Sequence, residues 1–241
     1  MARLLLLTIF ALGVFGYGIG VGHYQWPPWD VLAAGFRAVG FRAAHLPPGM
    51  IKQSYFDARA DLFARSTLRP DIVMLGDSLV EQGIWDELLG GLSVANRGIG
   101  GDDTAGVLKR LPDVLGRKPR VICLEIGSND LEKEIPTERV IENIRAIAGA
   151  ASRAGSLVIL QSVPFAVAGY RPDIHDAVKS LNIRLRDLTN GAQIRFFDLN
   201  AILADGGVLD PRNSFDGEHL NVRGYLLWIA ALKPVLRDAL Q

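Results

Sequence analysis

Residues 71–78, with the sequence Asp-Ile-Val-Met-Leu-Gly-Asp-Ser, constrain the fold of this chain more than any other stretch. Four consecutive apolar residues, 72–75, are followed at once by Gly76 and then by Ser78. An apolar run of this length suits a strand buried on both faces, as in a parallel sheet. The amphipathic segment 80–89 predicts a helix after it. The stretch therefore predicts strand, tight turn and helix, with a serine at the edge where open α/β sheets bind ligands.

Further apolar runs of strand length alternate with helical patterns along the chain. The predicted strands are residues 72–75, 94–99, 121–126, 157–163 and 194–199. The predicted helices are residues 55–65, 80–89, 104–115, 137–154, 176–189 and 224–240. Such alternation is typical of helices packed on both faces of a parallel sheet. We therefore predict an α/β fold, a three-layer α/β/α sandwich with a five-stranded parallel sheet.

The composition argues against two classes of function. Lys plus Arg and Asp plus Glu each number 26, so the formal net charge is zero and no global positive field recruits nucleic acid. The single cysteine, Cys123, excludes an intrachain disulfide and a cysteine-based metal cluster. The four histidines have no metal-like spacing. We expect no nucleic-acid partner, no metal and no cofactor.

The amino terminus has the pattern of a membrane segment. Residues 4–22 contain no charged side chain, follow Arg3 and are about as long as a bilayer crossing requires. Residues 23–30 contain no Lys or Arg, and they hold three aromatic residues of the types that settle at membrane interfaces. This pattern predicts an amino-terminal transmembrane helix with its amino end inside and the bulk of the chain outside the cytoplasm.

A cleaved signal peptide is the alternative for the same segment. No Ala-x-Ala site ends the apolar run, and the run is long for a signal core, so we favour an anchor. The predicted organisation is an anchor or signal at residues 1–22, a juxtamembrane segment at 23–68 and a catalytic domain at 69–241. The predicted location is the cell membrane with a periplasmic or extracellular domain, or secretion if the segment is cut.

Four polar blocks follow predicted strands or precede the last helix. They are Gly-Asp-Ser at 76–78, Asn-Arg-Gly-Ile-Gly-Gly-Asp-Asp at 96–103, Gly-Ser-Asn-Asp at 127–130 and Asp-Gly-Glu-His-Leu at 216–220. Loops at the carboxyl ends of parallel strands meet at one edge, so we expect the blocks to cluster. A serine nucleophile needs a base and the base an orienting acid. His219 is the candidate base and Asp216 the candidate acid, with Asp210 and Glu218 as alternatives.

These four blocks, in this order, resemble the GDSL or SGNH hydrolase family, over about residues 70–236. Gly-Asp-Ser-Leu stands at 76–79, and the second block resembles the acetylhydrolase-like branch. The resemblance implies a flavodoxin-like SGNH hydrolase fold and a Ser-Asp-His triad of Ser78, Asp216 and His219. It also implies an oxyanion hole made by the backbone N–H groups of Ser78 and Gly101 and the side-chain amide of Asn129.

Each of these residues also has a purely structural interpretation. Serine, asparagine and aspartate are helix-capping types, so Ser78, Asn129 and Asp216 could each serve a helix end. Gly101 could serve only a turn, and His219 could bond to backbone. We favour the catalytic interpretation because all four blocks occur together and in family order.

The predicted enzyme is a serine esterase, a carboxylic ester hydrolase that forms an acyl-enzyme. We expect a small-molecule or carbohydrate ester as substrate, with a short acyl group such as O-acetyl on envelope carbohydrate. Lysophospholipase, lipase, thioesterase and acyltransferase activities remain alternatives. A catalytically silent glycan-binding envelope protein is the alternative of another class, and it would need a broken triad.

Other polar residues carry weaker expectations. We expect Asp77 and Asp130 to hold the loops through backbone hydrogen bonds, and Glu125, inside a predicted strand, to have a polar partner. A further group is expected to flank the pocket: Arg97, Asp102 and Asp103. His175 is expected to be solvated.

Overall fold

A five-stranded parallel sheet forms the centre of the fold. Its strands are β1 Ile72–Gly76, β2 Val94–Gly98, β3 Val121–Glu125, β4 Leu157–Gln161 and β5 Ile194–Phe197. Their spatial order is β2-β1-β3-β4-β5, and every neighbouring pair is parallel. Strands β1 and β3 are buried along their whole length, as their unbroken apolar runs predicted. The α/β class and the five-stranded parallel sheet are confirmed.

This computed structural model describes residues 48–189 and 191–241. Its helices are α1 Pro48–Arg65, α2 Ser78–Glu81, α3 Trp85–Leu88, α4 Thr104–Gly116, α5 Ser128–Glu132, α6 Thr137–Arg153, α7 His175–Asp187, α8 Asn200–Leu203 and α9 Val222–Ala239. A small antiparallel pair, β6 Ala204–Asp205 and β7 Val208–Leu209, and a 3-10 turn, Pro211–Asn213, precede α9.

Helices cover both faces of the sheet. One apolar cluster joins the sheet to α4, α6 and α7. A second cluster joins the opposite face to α2, α3, α8 and α9, with Trp85 and Trp228 among its largest fully buried side chains. The functional consequence is that both faces are closed, and the carboxyl edge of the sheet is left as the place for a ligand.

The segment 80–89 forms two short helices, α2 and α3, so the prediction of one continuous helix was wrong. A Cβ at Gly83 would lie 2.2 Å from the Trp85 ring, which is fully buried and donates from Nε1 to the Val80 carbonyl at 2.7 Å. Asn96 Nδ2 donates to the carbonyls of Val80, Glu81 and Gly83 at 3.0, 3.0 and 2.9 Å. These side chains occupy carbonyls that a continuing helix would need.

The predicted membrane segment, residues 4–22, lies outside the described residues. Among the residues that are described, no helix combines the length and the apolarity of a membrane span. One compact unit covers residues 52–241, so most of α1 belongs to the same unit as the sheet.

A buried arginine fastens α4 to the carboxyl ends of β1 and β2. Arg110 donates to Asp102 Oδ2 at 2.9 Å, to the Arg97 carbonyl at 2.7 Å and to the Gly76 carbonyl at 3.0 Å. Both charged side chains of the ion pair are nearly inaccessible, at 6% for Arg110 and 1% for Asp102. Burial raises the pKa of Asp102 to about 6, and the attraction of Arg110 opposes that rise. Because the ion pair is buried, removing either charge would leave the other one unpaired in the interior.

We expect Arg110→Met to destabilise the protein by about 3–5 kcal/mol, because it leaves the Asp102 carboxylate buried without its partner. Chemical denaturation would measure the free energy of unfolding. Arg139→Met is the matched control, because Arg139 pairs with Glu142 on the surface at 3.0 Å and such pairs contribute about 0–1 kcal/mol. Equal stabilities of the two variants would contradict the structural role of Arg110.

Candidate active site

The polar loops meet at the carboxyl edge of the sheet. Ser78 begins α2, two residues after the end of β1, and Gly76 pairs in register with Gly98 of β2 and Glu125 of β3. Ser78 Oγ lies 3.1 Å from His219 Nε2, although 141 residues separate them in the chain. The structure thus brings the first and the last block within hydrogen-bond distance.

Asp216 holds the other side of the His219 ring. Its Oδ2 lies 2.7 Å from His219 Nδ1, and its Oδ1 accepts from the backbone N–H groups of Glu218 and His219 at 3.0 and 2.8 Å. Burial acts to raise the pKa of Asp216, but these hydrogen bonds outweigh it and hold the pKa below its ordinary value. A proton on Nδ1 then faces a carboxylate, and Nε2 is left to accept from Ser78.

The two alternative acids lie elsewhere. Asp210 forms a two-pronged pair with Arg212, with Oδ1 at 2.9 Å from Nε and Oδ2 at 2.6 Å from Nη2. Glu218 accepts from the Tyr170 hydroxyl at 3.5 Å. Of the three candidate acids, Asp216 is the one hydrogen-bonded to the His219 ring.

Local turns explain the position of the histidine. Ser214 and Leu220 form an isolated antiparallel bridge, and the Ser214 hydroxyl donates to the His219 carbonyl at 2.7 Å. Gly217, at a φ of +103°, makes the tight turn that this closure needs. The cap of α9 is Asn221, whose side chain accepts from two backbone N–H groups, so the capping interpretation of Asp216 does not apply to that helix.

Asp77 joins the first and third blocks. Its Oδ1 accepts from Leu79 N–H at 3.0 Å, and its Oδ2 accepts from Ser128 Oγ at 3.1 Å and Asn129 Nδ2 at 3.2 Å. Its side chain is fully buried, and burial raises its pKa to about 7, while these hydrogen bonds act to lower it. Asn129 lies inside α5, and the N-cap of that helix is Gly127, so Asn129 does not cap it. The Asn129 amide has two hydrogens, and its bond to Asp77 uses one of them.

The second block contains a glycine, Gly101, whose backbone conformation suits glycine. Gly101 has a φ of +74°, in the left-handed region that favours glycine.

The residues expected to flank the pocket make structural contacts. Arg97 and Asp102 are buried, and Asp103 caps α4 by accepting from Gly106 N–H at 2.9 Å and pairs with Lys133. These contacts are structural, and the expectation that the three residues flank the pocket stays a prediction. Asp130, by contrast, holds Thr104 as a loop-fixing residue should.

Glu125 is fully buried at the end of β3, and both of its carboxyl oxygens lack a hydrogen-bond partner among the described residues. The expectation of a polar partner was therefore wrong. Burial raises the pKa of Glu125 well above its ordinary value, and the neighbouring Asp77 and Glu218 raise it further. A neutral carboxylic acid beneath the site is the consequence, since an unpaired carboxylate is costly there.

A small cavity of about 30 Å³ opens beside the site. Leu79 and Ser128, the neighbours of Ser78 and Asn129 in the chain, form one wall. The rest of the wall comes from the segment after β4, from α7 and from the loop before α9, and it includes two charged residues beside mostly apolar ones: Pro164, Phe165, Ala166, Arg171, Ile174, His175, Val178 and Glu218. His175 packs on Phe165 at 5.3 Å between ring centres and is half-buried, so the expectation of a solvated histidine was wrong. Sequence reasoning missed this wall because the segment after β4 carries no polar block.

Together, the parallel sheet and the polar loops at its carboxyl edge define an α/β protein with a hydrogen-bonded serine, histidine and aspartate at one edge of the sheet. Residues 74–227 match the GDSL-like lipase/acylhydrolase family, and the chain belongs to it. The protein is accordingly an enzyme of a family of hydrolases that act on esters. The resemblance seen in the sequence is confirmed.

Three known proteins show the range of similarity. Platelet-activating factor acetylhydrolase IB subunit alpha2 from Homo sapiens is 29% identical over 171 residues, which cover 65% of this chain and 71% of that protein. The lipase/acylhydrolase from Enterococcus faecalis is 26% identical, with a TM-score of 0.58 over 68% of this chain and 95% of its own. A GDSL-like lipase from Bacteroides thetaiotaomicron shares the fold, with a TM-score of 0.65, 24% identity and coverage of 78% and 98%.

We expect Glu125→Gln to change the pH dependence of stability. Above the ordinary pKa of glutamate the unfolded chain releases this proton and the folded chain keeps it, so wild type loses stability as pH rises, by about 1.4 kcal/mol per unit. The variant lacks this loss. Its melting temperature relative to wild type should therefore increase from pH 4 to pH 8. Glu142→Gln, at an exposed position, is the control, and a pH-independent difference for Glu125→Gln would contradict the neutral state.

Proposed function

We propose that the protein hydrolyses carboxylic esters with short acyl groups through an acyl-enzyme on Ser78. The observation that supports this most directly is the chain of contacts from Ser78 Oγ to His219 Nε2 at 3.1 Å and from His219 Nδ1 to Asp216 Oδ2 at 2.7 Å. In the first step Nε2 takes the hydroxyl proton while Oγ attacks the ester carbonyl carbon. The imidazolium that forms is stabilised by the ionised Asp216.

The tetrahedral intermediate then collapses. His219 returns its proton to the leaving alkoxide, the alcohol departs and the acyl group stays on Ser78. Water attacks the acyl carbon in the second half, with His219 Nε2 taking its proton, and the acid leaves as Ser78 Oγ is reprotonated. Every proton passes through Nε2, so the orientation of this ring is the requirement of both halves.

We assign the oxyanion donors to the backbone N–H groups of Ser78 and Gly101 and to the Asn129 amide. The hydrogen bond from Asn129 Nδ2 to Asp77 at 3.2 Å fixes the amide plane and leaves its second hydrogen for the oxyanion. The φ of +74° at Gly101 is a conformation that glycine adopts without strain, and glycine lets the backbone approach a ligand closely. Neutral donors of this kind keep their hydrogens at all relevant pH values.

The cavity supports a short acyl group. Its volume of about 30 Å³ is small, since a single water molecule needs about 10–15 Å³ on the same measure, and this favours a short acyl group over a long chain. An acetylhydrolase among the relatives points the same way. We propose an O-acetyl ester as substrate, carried by envelope carbohydrate if residues 4–22 anchor the enzyme outside the cytoplasm, which is also our proposal.

Exposed apolar side chains favour a second candidate, a lipid ester. Phe215 is 64% exposed and stacks on the His219 ring at 5.9 Å, and Val222 and Leu226 of α9 are 75% and 51% exposed. Such residues suit a substrate whose apolar tail stays outside the cavity. A lysophospholipase or lipase activity would then use the membrane as its source of substrate.

Two measurements on one set of variants test the proposal. Ser78→Ala should remove hydrolysis of p-nitrophenyl esters by several orders of magnitude and abolish labelling by a fluorophosphonate probe, because no other group here forms the acyl-enzyme. Asp216→Asn should lower kcat steeply, because the ring loses its orienting charge.

Wild type should prefer acetate to octanoate esters. Undiminished turnover in Ser78→Ala would contradict the acyl-enzyme mechanism. A preference of wild type for octanoate esters would favour a lipid ester as substrate.

Asn129→Ala should lower kcat by about 10²–10³-fold with little change in KM, because it removes an oxyanion donor. Ser128→Ala is the matched control, because Ser128 donates to the same Asp77 oxygen as Asn129 does, at 3.1 Å, but has no oxyanion role. Steady-state kinetics and melting temperatures of both variants separate the two roles. Equal losses of kcat in the two would show that Asn129 acts only by holding Asp77.

A further inference from the structure

Helix α1 contacts the site although it lies outside the residues that match the family. The family match begins at residue 74, whereas α1 ends at Arg65. Three side chains meet where α1 passes the end of α2. The Tyr55 hydroxyl donates to Glu81 Oε1, and Arg59 Nε lies 3.2 Å from the same oxygen. The carboxylate of Glu81 is therefore held from the side of α1.

The second oxygen of Glu81 reaches the loop after β2. Glu81 Oε2 accepts from the Gly100 backbone N–H at 2.9 Å. Gly100 directly precedes Gly101, the glycine assigned to the oxyanion hole. A hydrogen bond from a backbone N–H to a carboxylate is charge-assisted and stronger than a neutral one. This bond fixes the Ile99–Gly100 peptide, which is joined at the Gly100 Cα to the peptide that carries the Gly101 N–H, and Glu81 thereby limits the directions open to that N–H.

Close packing at Gly100 strengthens the coupling. A Cβ at this position would lie 2.9 Å from Glu81 Oε2, 3.9 Å from Ser78 Cβ and 4.0 Å from Tyr55 Cε1. Ser78 and Tyr55 of α1 thus pack closely around Gly100 in the loop after β2. A shift of the Glu81 carboxylate would be passed directly to the loop that faces Ser78.

Other contacts hold α1 in place without using Glu81. The Phe63 ring contacts two guanidinium groups, those of Arg59 at 4.9 Å and Arg97 at 4.7 Å from the ring centre. Arg117 donates to the carbonyls of Phe63 and Ala64 at 3.1 and 2.8 Å. Lys109 pairs with Asp57 at 3.4 Å. Removing the Tyr55 hydroxyl or the Glu81 carboxylate should therefore leave the helix docked.

We propose that Glu81 and Tyr55 are positioning residues that hold the Gly100–Gly101 peptide in the orientation the oxyanion requires. This inference rests on the proposed function, since it assigns the Gly101 N–H to the oxyanion hole. Neither side chain touches the substrate. Their effect passes through the backbone, so it should appear in the chemical step and not in substrate binding.

The test compares four variants of the full-length protein. Glu81→Ala should lower kcat by about 10–100-fold with KM and melting temperature nearly unchanged, because a small displacement of a donor is enough to cost that much. Tyr55→Phe, which keeps the ring, should lower kcat by about 3–10-fold. Glu81→Gln should retain more activity than Glu81→Ala, because its amide oxygen can still accept from Gly100. Lys109→Met, which weakens the docking of α1 elsewhere, should keep the kcat of wild type.

The rate of phosphonylation of Ser78 by a fluorophosphonate gives a second readout, because its tetrahedral adduct also needs the oxyanion donors. It should fall in parallel with kcat in Glu81→Ala and Tyr55→Phe. Wild-type kcat in both variants, with Ser78→Ala inactive, overturns this inference and leaves the proposed function standing. An equal loss of kcat in Lys109→Met, together with a lower melting temperature, also overturns this inference. That result would show that kcat depends on the docking of α1 and not on Glu81 in particular. Full activity in Ser78→Ala would instead overturn the proposed function.

Discussion

The buried carboxylate of Asp77 is the interaction on which the rest of the site depends. It lies in the turn between β1 and α2, where it accepts from Leu79 N–H and thereby starts the helix that carries Ser78. Its second oxygen accepts from Ser128 and Asn129, which ties the loop after β3 to the loop after β1. A carboxylate can serve three donors at once because each oxygen has two lone pairs. The relative position of the proposed nucleophile, Ser78, and of the proposed oxyanion donor, Asn129, is thus set by a single side chain.

Acidic groups are concentrated beneath this edge of the sheet, and their mutual repulsion has a consequence for the chemistry. Burial and the proximity of Asp77 and Glu218 raise the pKa of Glu125, and burial raises that of Asp77 to about 7. Asp216 differs, because backbone N–H groups and His219 hold its pKa below the ordinary value. The proposed orienting acid, Asp216, is therefore the one with hydrogen-bond donors that favour its charged form, whereas the fully buried Glu125 is neutral. Environment, not residue type, separates their roles.

The sheet and the meeting of the polar blocks could be predicted from the sequence because both follow from local rules. Apolar runs of strand length mark buried parallel strands, and parallel strands bring their carboxyl ends to one edge. Ser78 and His219 meet in this way across 141 residues. The break of the segment 80–89 could not be predicted, because it depends on the packing of Trp85 against Gly83 and on donors from Asn96. The unpaired state of Glu125 and the burial of Asp102 with Arg110 likewise depend on neighbours distant in the chain.

The residues that match the family and the residues that hold the site in shape are not the same set. The matched residues 74–227 contain every group assigned to the chemistry. They do not contain Tyr55 and Arg59, which hold the Glu81 carboxylate from outside. A motif records residues that react, since their chemical types cannot vary, whereas a supporting contact can be made by any element that reaches the loop. In this chain that element is α1, whose Tyr55 and Arg59 reach the carboxylate that accepts from the loop facing Ser78.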